Sequence, residues 1–105
     1  MASKIRIRIR ALMNGDVAEV KALMRHPMET GRRKDEQGNS IPAHFITEVI
    51  ATIGHRTVMT ARWGAAVSQN PFLGFRVRGV QPGDELTIRY VDNKGETGEG
   101  SATIK

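Results

Sequence analysis

The stretch PFLGFRVRGVQPGDELTIRYV, residues 71–91, holds two short runs that alternate apolar and polar side chains around a compact turn. In the first, Leu73, Phe75 and Val77 share one face and Arg76 and Arg78 the other; in the second, Leu86, Ile88 and Tyr90 oppose Thr87 and Arg89. Successive side chains of an extended chain point to opposite sides, so this pattern puts one face of each run in a core and one in water. Between them, Gln81-Pro82-Gly83-Asp84 combines a residue with a preset φ and one that tolerates positive φ, the chemistry of a turn. Strands over 72–78 and 85–91 are the expectation.

Outward from this pair, the same grammar recurs. Ile5, Ile7 and Ile9 alternate with Lys4, Arg6, Arg8 and Arg10, the clearest strand in the chain, and Asn14-Gly15-Asp16 turns it. Val17 to Arg25 fits a helical stripe through Val17, Val20, Leu23 and Met24, or a strand face through Val20, Ala22 and Met24; strand neighbours on both sides favour the strand. Glu29 to Ser40, with Gly31 and Gly38, is polar throughout and reads as an exposed loop. Ala43 to Ile53 and Arg56 to Trp63 are rich in β-branched residues and separated by Gly54-His55, which predicts an antiparallel hairpin. Asp92 to Gly100 reads as a turn region before a short last strand, Ser101 to Lys105. About seven short strands with regular turn signals predict an all-β, immunoglobulin-like antiparallel β-sandwich, with a five-stranded barrel as the alternative.

The 105 residues suffice for one modest core, so a single domain spanning 1–105 is expected. No apolar run approaches the roughly 20 residues that cross a bilayer as a helix, and the Ile/Arg alternation near the start leaves no room for a secretory leader; taken alone, this points to the cytoplasm. The absence of cysteine excludes disulfides, thiolate metal sites and covalent carriage of a substrate through sulfur. A net charge of +5 and a pI near 10.2 favour acidic partners or nucleic acid through long-range steering.

Candidate sites are few. Met24, His26 and Met28 stand at i, i+2 and i+4, which on an extended segment would align three soft ligands for Cu(I). The plainer reading makes Met24 core, His26 a residue before a proline turn and Met28 a gap-filler, and no metal is assigned. His26, His44 and His55 are the only histidines; with no nucleophile elbow and no phosphate-binding glycine loop, no catalytic residue is assigned. Arg6, Arg8, Arg10, Arg76, Arg78 and Arg89 could contact phosphates, but only five aromatics exist and most look inward, so a solvated basic face that protects strand edges is preferred. The alternation of Ala43 to Ile53 puts Phe45, Val49 and Ile53 on one face and Ile46 and Ile50 on the other, while Phe72 falls on the side of Arg76 and Arg78. Apolar side chains opposite the core mark an interaction surface, so Ile46, Ile50 and Phe72 are the candidate partner-binding residues.

Six segments together resemble the SoxZ family: His26-Pro-Met-Glu-Thr-Gly31, Ile41-Pro-Ala-His-Phe-Ile46, Trp63-Gly64, Val67-Ser-Gln-Asn-Pro-Phe-Leu73 followed by Phe75, Gly83-Asp84, and Asp92-Asn93. Their order and spacing cover nearly the whole chain, although Gly54-His55-Arg56 departs from the Asn-Gly hairpin turn expected there. The resemblance implies an immunoglobulin-like sandwich without catalysis or cofactor, paired with SoxY, whose glycine-flanked C-terminal cysteine holds sulfur intermediates during thiosulfate oxidation. It also implies that SoxB, SoxAX and SoxCD act on that cysteine, and that the chain is exported folded with a signal-bearing SoxY, which replaces the cytoplasm by the periplasm. An isolated chain could pair with a second copy.

Overall fold

A computed structural model describes residues 7–105; Lys4, Ile5 and Arg6 of the first alternating run lie outside the described residues. Within them the chain runs β1 (Ile7–Asn14), β2 (Val17–Met24), β3 (Ile46–Ile53), β4 (Arg56–Arg62), β5 (Phe72–Arg78), β6 (Glu85–Asp92) and β7 (Thr97–Thr103), with no helix. A three-stranded sheet ordered β1-β2-β5 packs on a four-stranded sheet ordered β4-β3-β6-β7, and every ladder is antiparallel. The molecule is thus the expected all-β sandwich, and β2 is a strand. No ladder closes β4 onto β5 among the described residues, so the barrel alternative does not hold.

The core lies between the two inner faces. Val20, Ala22 and Met24 of β2 face Val49 and Ala51 of β3 and Leu86, Ile88 and Tyr90 of β6, all essentially without solvent contact. Each of the larger side chains among these contributes roughly 1.5–3 kcal/mol of burial free energy, and the alanines less, which selects this register over one slipped by a residue. Leu73, Phe75 and Val77 face inward as read, but Leu73 and Phe75 remain half-exposed because β5 is an edge strand with no neighbour beyond it.

Two expectations fail, each for an identifiable reason. Ile46 is completely buried instead of facing outward. The β3–β6 register slips between Ile46 and Glu48, where Thr47 is the extra residue and donates its hydroxyl to the Val91 carbonyl at 3.1 Å. A bulge reverses the facing of everything before it, so Ile46 and Val49 both point into the core. The last strand begins at Thr97 instead of Ser101. Its glycines argue against a strand by propensity, yet Gly98 pairs across from Tyr90 and Gly100 sits against the Ile7 carbonyl, where a Cβ would approach to 2.6 Å. Glycine here is the residue that lets β7 lie under the Tyr90 ring and close against β1. That closure is completed by Met13 N–H donating to the Lys105 carbonyl at 2.8 Å and Lys105 N–H to the Ala11 carbonyl at 3.0 Å.

Candidate functional site

At one end of the sandwich the chain gathers three segments that are distant in sequence. β2 runs out into His26-Pro27-Met28, and Met28 adopts a left-handed backbone (φ 49°). Such a conformation costs a non-glycine residue on the order of 1–2 kcal/mol, and here two contacts offset it: Met28 N–H donates to His26 Nδ1 at 3.1 Å, and Met28 Sδ accepts from Ile46 N–H at 3.3 Å. Glu29 and His44 then exchange two backbone hydrogen bonds of 2.7 and 2.9 Å, closing the polar 29–44 loop at its base and delivering the His44 ring next to His26. The ring centroids lie 4.5 Å apart, edge to face. Asn93 clamps the same segment by accepting from Phe45 N–H at 2.8 Å and donating to the Ala43 carbonyl at 2.9 Å.

Asp92, the last residue of β6, is the hub. Its Oδ2 lies 3.0 Å from His26 Nε2 and 2.7 Å from His44 Nε2, and its Oδ1 accepts the backbone N–H of Lys94 and Glu96 at 3.0 and 2.9 Å. His44 Nε2 is also 2.9 Å from Glu96 Oε2 at the surface. Burial of the Asp92 carboxyl pushes its pKa up, but the hydrogen bonds from His26, His44, Glu96 and Lys94 together outweigh it and hold the group at about 2.

The donor atoms of His26, His44 and Asp92 fall within 4.8 Å of one another, the spacing of a metal site. The protonation pattern decides against one. A backbone N–H can only donate, so His26 Nδ1 is the acceptor and the neutral ring carries its proton on Nε2, directed at Asp92. A metal-bound histidine shows the reverse arrangement, a bare nitrogen on the metal and the other N–H donating outward. The same hydrogen bonds dismantle the Cu(I) alignment: Met24 is core, Met28 Sδ faces Ile46 N–H, and the left-handed turn at Met28 breaks the extended run that would align the three. Both nitrogens of the buried His26 are engaged, and among the described residues no hydroxyl or amine is hydrogen-bonded to either ring. What the cluster does is tie the 26–28 turn, the base of the 29–44 loop and the end of β6 into one unit.

The sign of its pH dependence follows. Asp92 is depressed from 3.8 to about 2 on folding, so its contribution of about 2 kcal/mol is fully present above pH 5 and is lost as pH falls through 4 toward 2. Urea titrations at pH 6 and pH 3 should show the lower stability at pH 3, and Asp92→Asn should flatten much of that difference; an equally steep acid loss in the variant would remove Asp92 as its source.

Sequence reading missed this cluster as a unit because His26 and His44 are separated from Asp92 by 66 and 48 residues, so no spacing signal exists. The signal available was that three of the quoted segments each carry one of its members. The three candidate partner-binding residues, by contrast, are not brought together. Ile46 is core. Ile50 lies on the outer face of the four-stranded sheet, half-buried beside Glu48, Arg89 and Val91. Phe72 lies on the outer face of the three-stranded sheet, 62% exposed, with Leu23 (47% exposed) directly across from it. The two outer faces look in opposite directions.

Comparison with solved structures gives the same architecture. A superoxide reductase in its oxidised state superposes with a TM-score of 0.66 at 15% identity, covering 99% of this chain and 90% of that one. The superoxide reductase (neelaredoxin) of Archaeoglobus fulgidus in its reduced form gives 0.65 at 20% identity, covering 96% and 89%. These likenesses are of fold alone. No curated protein matches the chain. The family model of the sulphur oxidation protein SoxZ matches residues 5–103, a span that includes every quoted segment and all three members of the His26–Asp92–His44 cluster. The chain belongs to the SoxZ family.

Proposed function

We propose that this subunit of the Sox sulfur-oxidation system is the non-catalytic half of a SoxYZ carrier, pairing with SoxY while the cysteine of SoxY holds the sulfur intermediates. The observation that carries the reading is a cysteine-free SoxZ chain that leaves Phe72 and Leu23 paired and exposed on the outer face of the three-stranded sheet. Two adjacent large apolar side chains of this kind are the pattern of an interface anchor. Ile50, on the far side of the sandwich, is a separate and smaller contact in the same assembly. The place of work is the periplasm, reached together with SoxY, and the Sox enzymes act on the SoxY cysteine that this subunit presents.

The test is co-purification with SoxY followed by Phe72→Asp. The variant should lose about 2 kcal/mol or more of association through loss of a buried anchor, with its thermal midpoint nearly unchanged because Phe72 is not core. Ile46→Asp should do the opposite, unfolding the chain by placing a carboxylate in the core. A Phe72→Asp chain that keeps full affinity for SoxY removes this face from the interface.

A further inference from the structure

The outer face of the three-stranded sheet has a composition beyond its exposed apolar residues Leu12, Leu23 and Phe72. The β1-β2-β5 register sets it out in cross-strand rows: Arg8, Leu23 and Phe72 in the first, Arg10, Lys21 and Gly74 in the second, Leu12, Glu19 and Arg76 in the third. The Phe72 ring lies along the sheet over Gly74, where a Cβ would meet it at 3.4 Å, so the absence of a side chain at Gly74 leaves room for the ring to lie down with its outer side in solvent. A shallow groove flanks the ring on each side, one of about 320 Å³ bounded by Arg8, Arg10, Lys21 and Leu23, the other of about 380 Å³ bounded by Lys21, Gly74 and Arg76.

The charges are not balanced within this face. Arg76 approaches Glu19 at 3.6 Å and Arg78 approaches Asp16 at 3.9 Å, but no ion pair among the described residues engages Arg8, Arg10 or Lys21. Three unpaired cations therefore surround an aromatic and an aliphatic side chain that already face water. Basic residues commonly protect a sheet edge from self-pairing, and Arg8 and Arg10 lie on the edge strand β1, but Lys21 sits on the central strand β2, where no edge needs protection, and all three border the Phe72 and Leu23 side chains.

We infer that this face selects an acidic partner segment, one that sets aliphatic side chains into the grooves beside Phe72 while its carboxylates meet Arg8, Arg10 and Lys21. The inference rests on the proposed pairing in taking a segment of SoxY as that partner, and it adds the chemistry by which the segment is chosen. Charge complementarity of this kind governs encounter rate and rejection of wrong partners, and its effect shrinks with salt. It also disfavours a symmetric pairing of two such faces, which would oppose like charges.

The experiment measures binding of the full chain to three probes: SoxY, a twelve-residue peptide alternating Glu and Leu, and a duplex DNA of about 20 base pairs, each at about 50 and about 300 mM salt. A Lys/Leu peptide of the same length is the control. The expected result is binding of SoxY and of the Glu/Leu peptide, weakened at least about tenfold by the Arg10→Glu, Lys21→Glu double variant or by Phe72→Ala, and weakened severalfold by salt, with no binding of the Lys/Leu control. SoxY binding that ignores the charge reversal and salt, with no binding of the Glu/Leu peptide, overturns the inference while the pairing stands. Peptide binding with these dependences but no binding of SoxY supports the acidic selectivity and overturns the pairing. Equal binding of the Lys/Leu control, or tighter binding of the duplex lost on the same charge reversal, overturns the inference in favour of a plain apolar patch or a phosphate-binding face.

Discussion

Replacement of Asp92 by alanine is expected to cost about 3–5 kcal/mol, the largest single-residue effect outside the apolar core. The side chain accepts four hydrogen bonds, two from imidazoles and two from the backbone of its own turn. Removing it strands a buried His26 N–H and two backbone donors at once, and each orphaned buried group costs about 1–3 kcal/mol. Asp92→Asn separates the two halves of the hub: its carbonyl oxygen can still serve Lys94 and Glu96, but its amide then faces the His26 and His44 N–H groups, donor against donor. It should lie between wild type and alanine. For a domain of this size each kcal/mol moves the thermal midpoint by roughly 4–8 °C, so Asp92→Ala should melt more than about 12 °C early. Partner affinity measured below that temperature should be unchanged, because the exposed Phe72 face is built by β1, β2 and β5 and the cluster touches none of its rows. A midpoint within 3 °C of wild type would mean that the cluster is not a unit of stability.

Gly98→Ala should also be damaging, although it adds a single methyl group to an edge strand. The new Cβ would overlap the ring of Tyr90, which is 1% exposed and packed edge-on against His26 at a centroid distance of 5.6 Å. The ring has nowhere to go, so β7 must lift from β6 or Tyr90 must leave its rotamer; overpacking of this kind costs about 1–3 kcal/mol. The buried Tyr90 hydroxyl has no hydrogen-bond partner among the described residues, so within them it adds no anchor that a smaller side chain would lose. The Tyr90→Leu, Gly98→Ala double variant should therefore recover part of the loss, a coupling of about 1 kcal/mol between paired residues. Gly64→Ala, where a Cβ meets nothing within 4 Å and φ is not positive, should stay within about 0.5 kcal/mol of wild type. Equal effects at Gly98 and Gly64 would show that β7 does not lie as close to Tyr90 as described.

How much of this was legible beforehand differs by residue. The alternation of Leu73, Phe75 and Val77 against Arg76 and Arg78 was readable because a strand's facing is a local, period-two property, and the β5 and β6 faces are as read. The same rule failed at Ile46, since a bulge depends on what the neighbouring strand offers, here the Val91 carbonyl that takes the Thr47 hydroxyl. It failed again at Gly98 and Gly100, where propensity argues for a turn and the fit beneath Tyr90 and against Ile7 requires a strand. Of the three candidate partner-binding residues, the bulge turned Ile46 into the core, while Ile50 and Phe72 lie on the outer faces of opposite sheets.

By itself the sequence determined the fold class, the positions of most strands, the lack of thiol chemistry and, through its ordered segments, the SoxZ family. Each of these is carried by local periodicity, by composition or by the order of short motifs, none of which needs contacts across the chain. Only the tertiary structure decided that His26 and His44 converge on Asp92, that their protons face its carboxylate in place of a metal, and that Leu23 joins Phe72 in a basic-rimmed row. The reason is distance along the chain. Contacts spanning 44 to 66 residues, and the bulge and glycine packing that aim them, are set by the pairing of strands and leave no trace in the periodicity of any one segment.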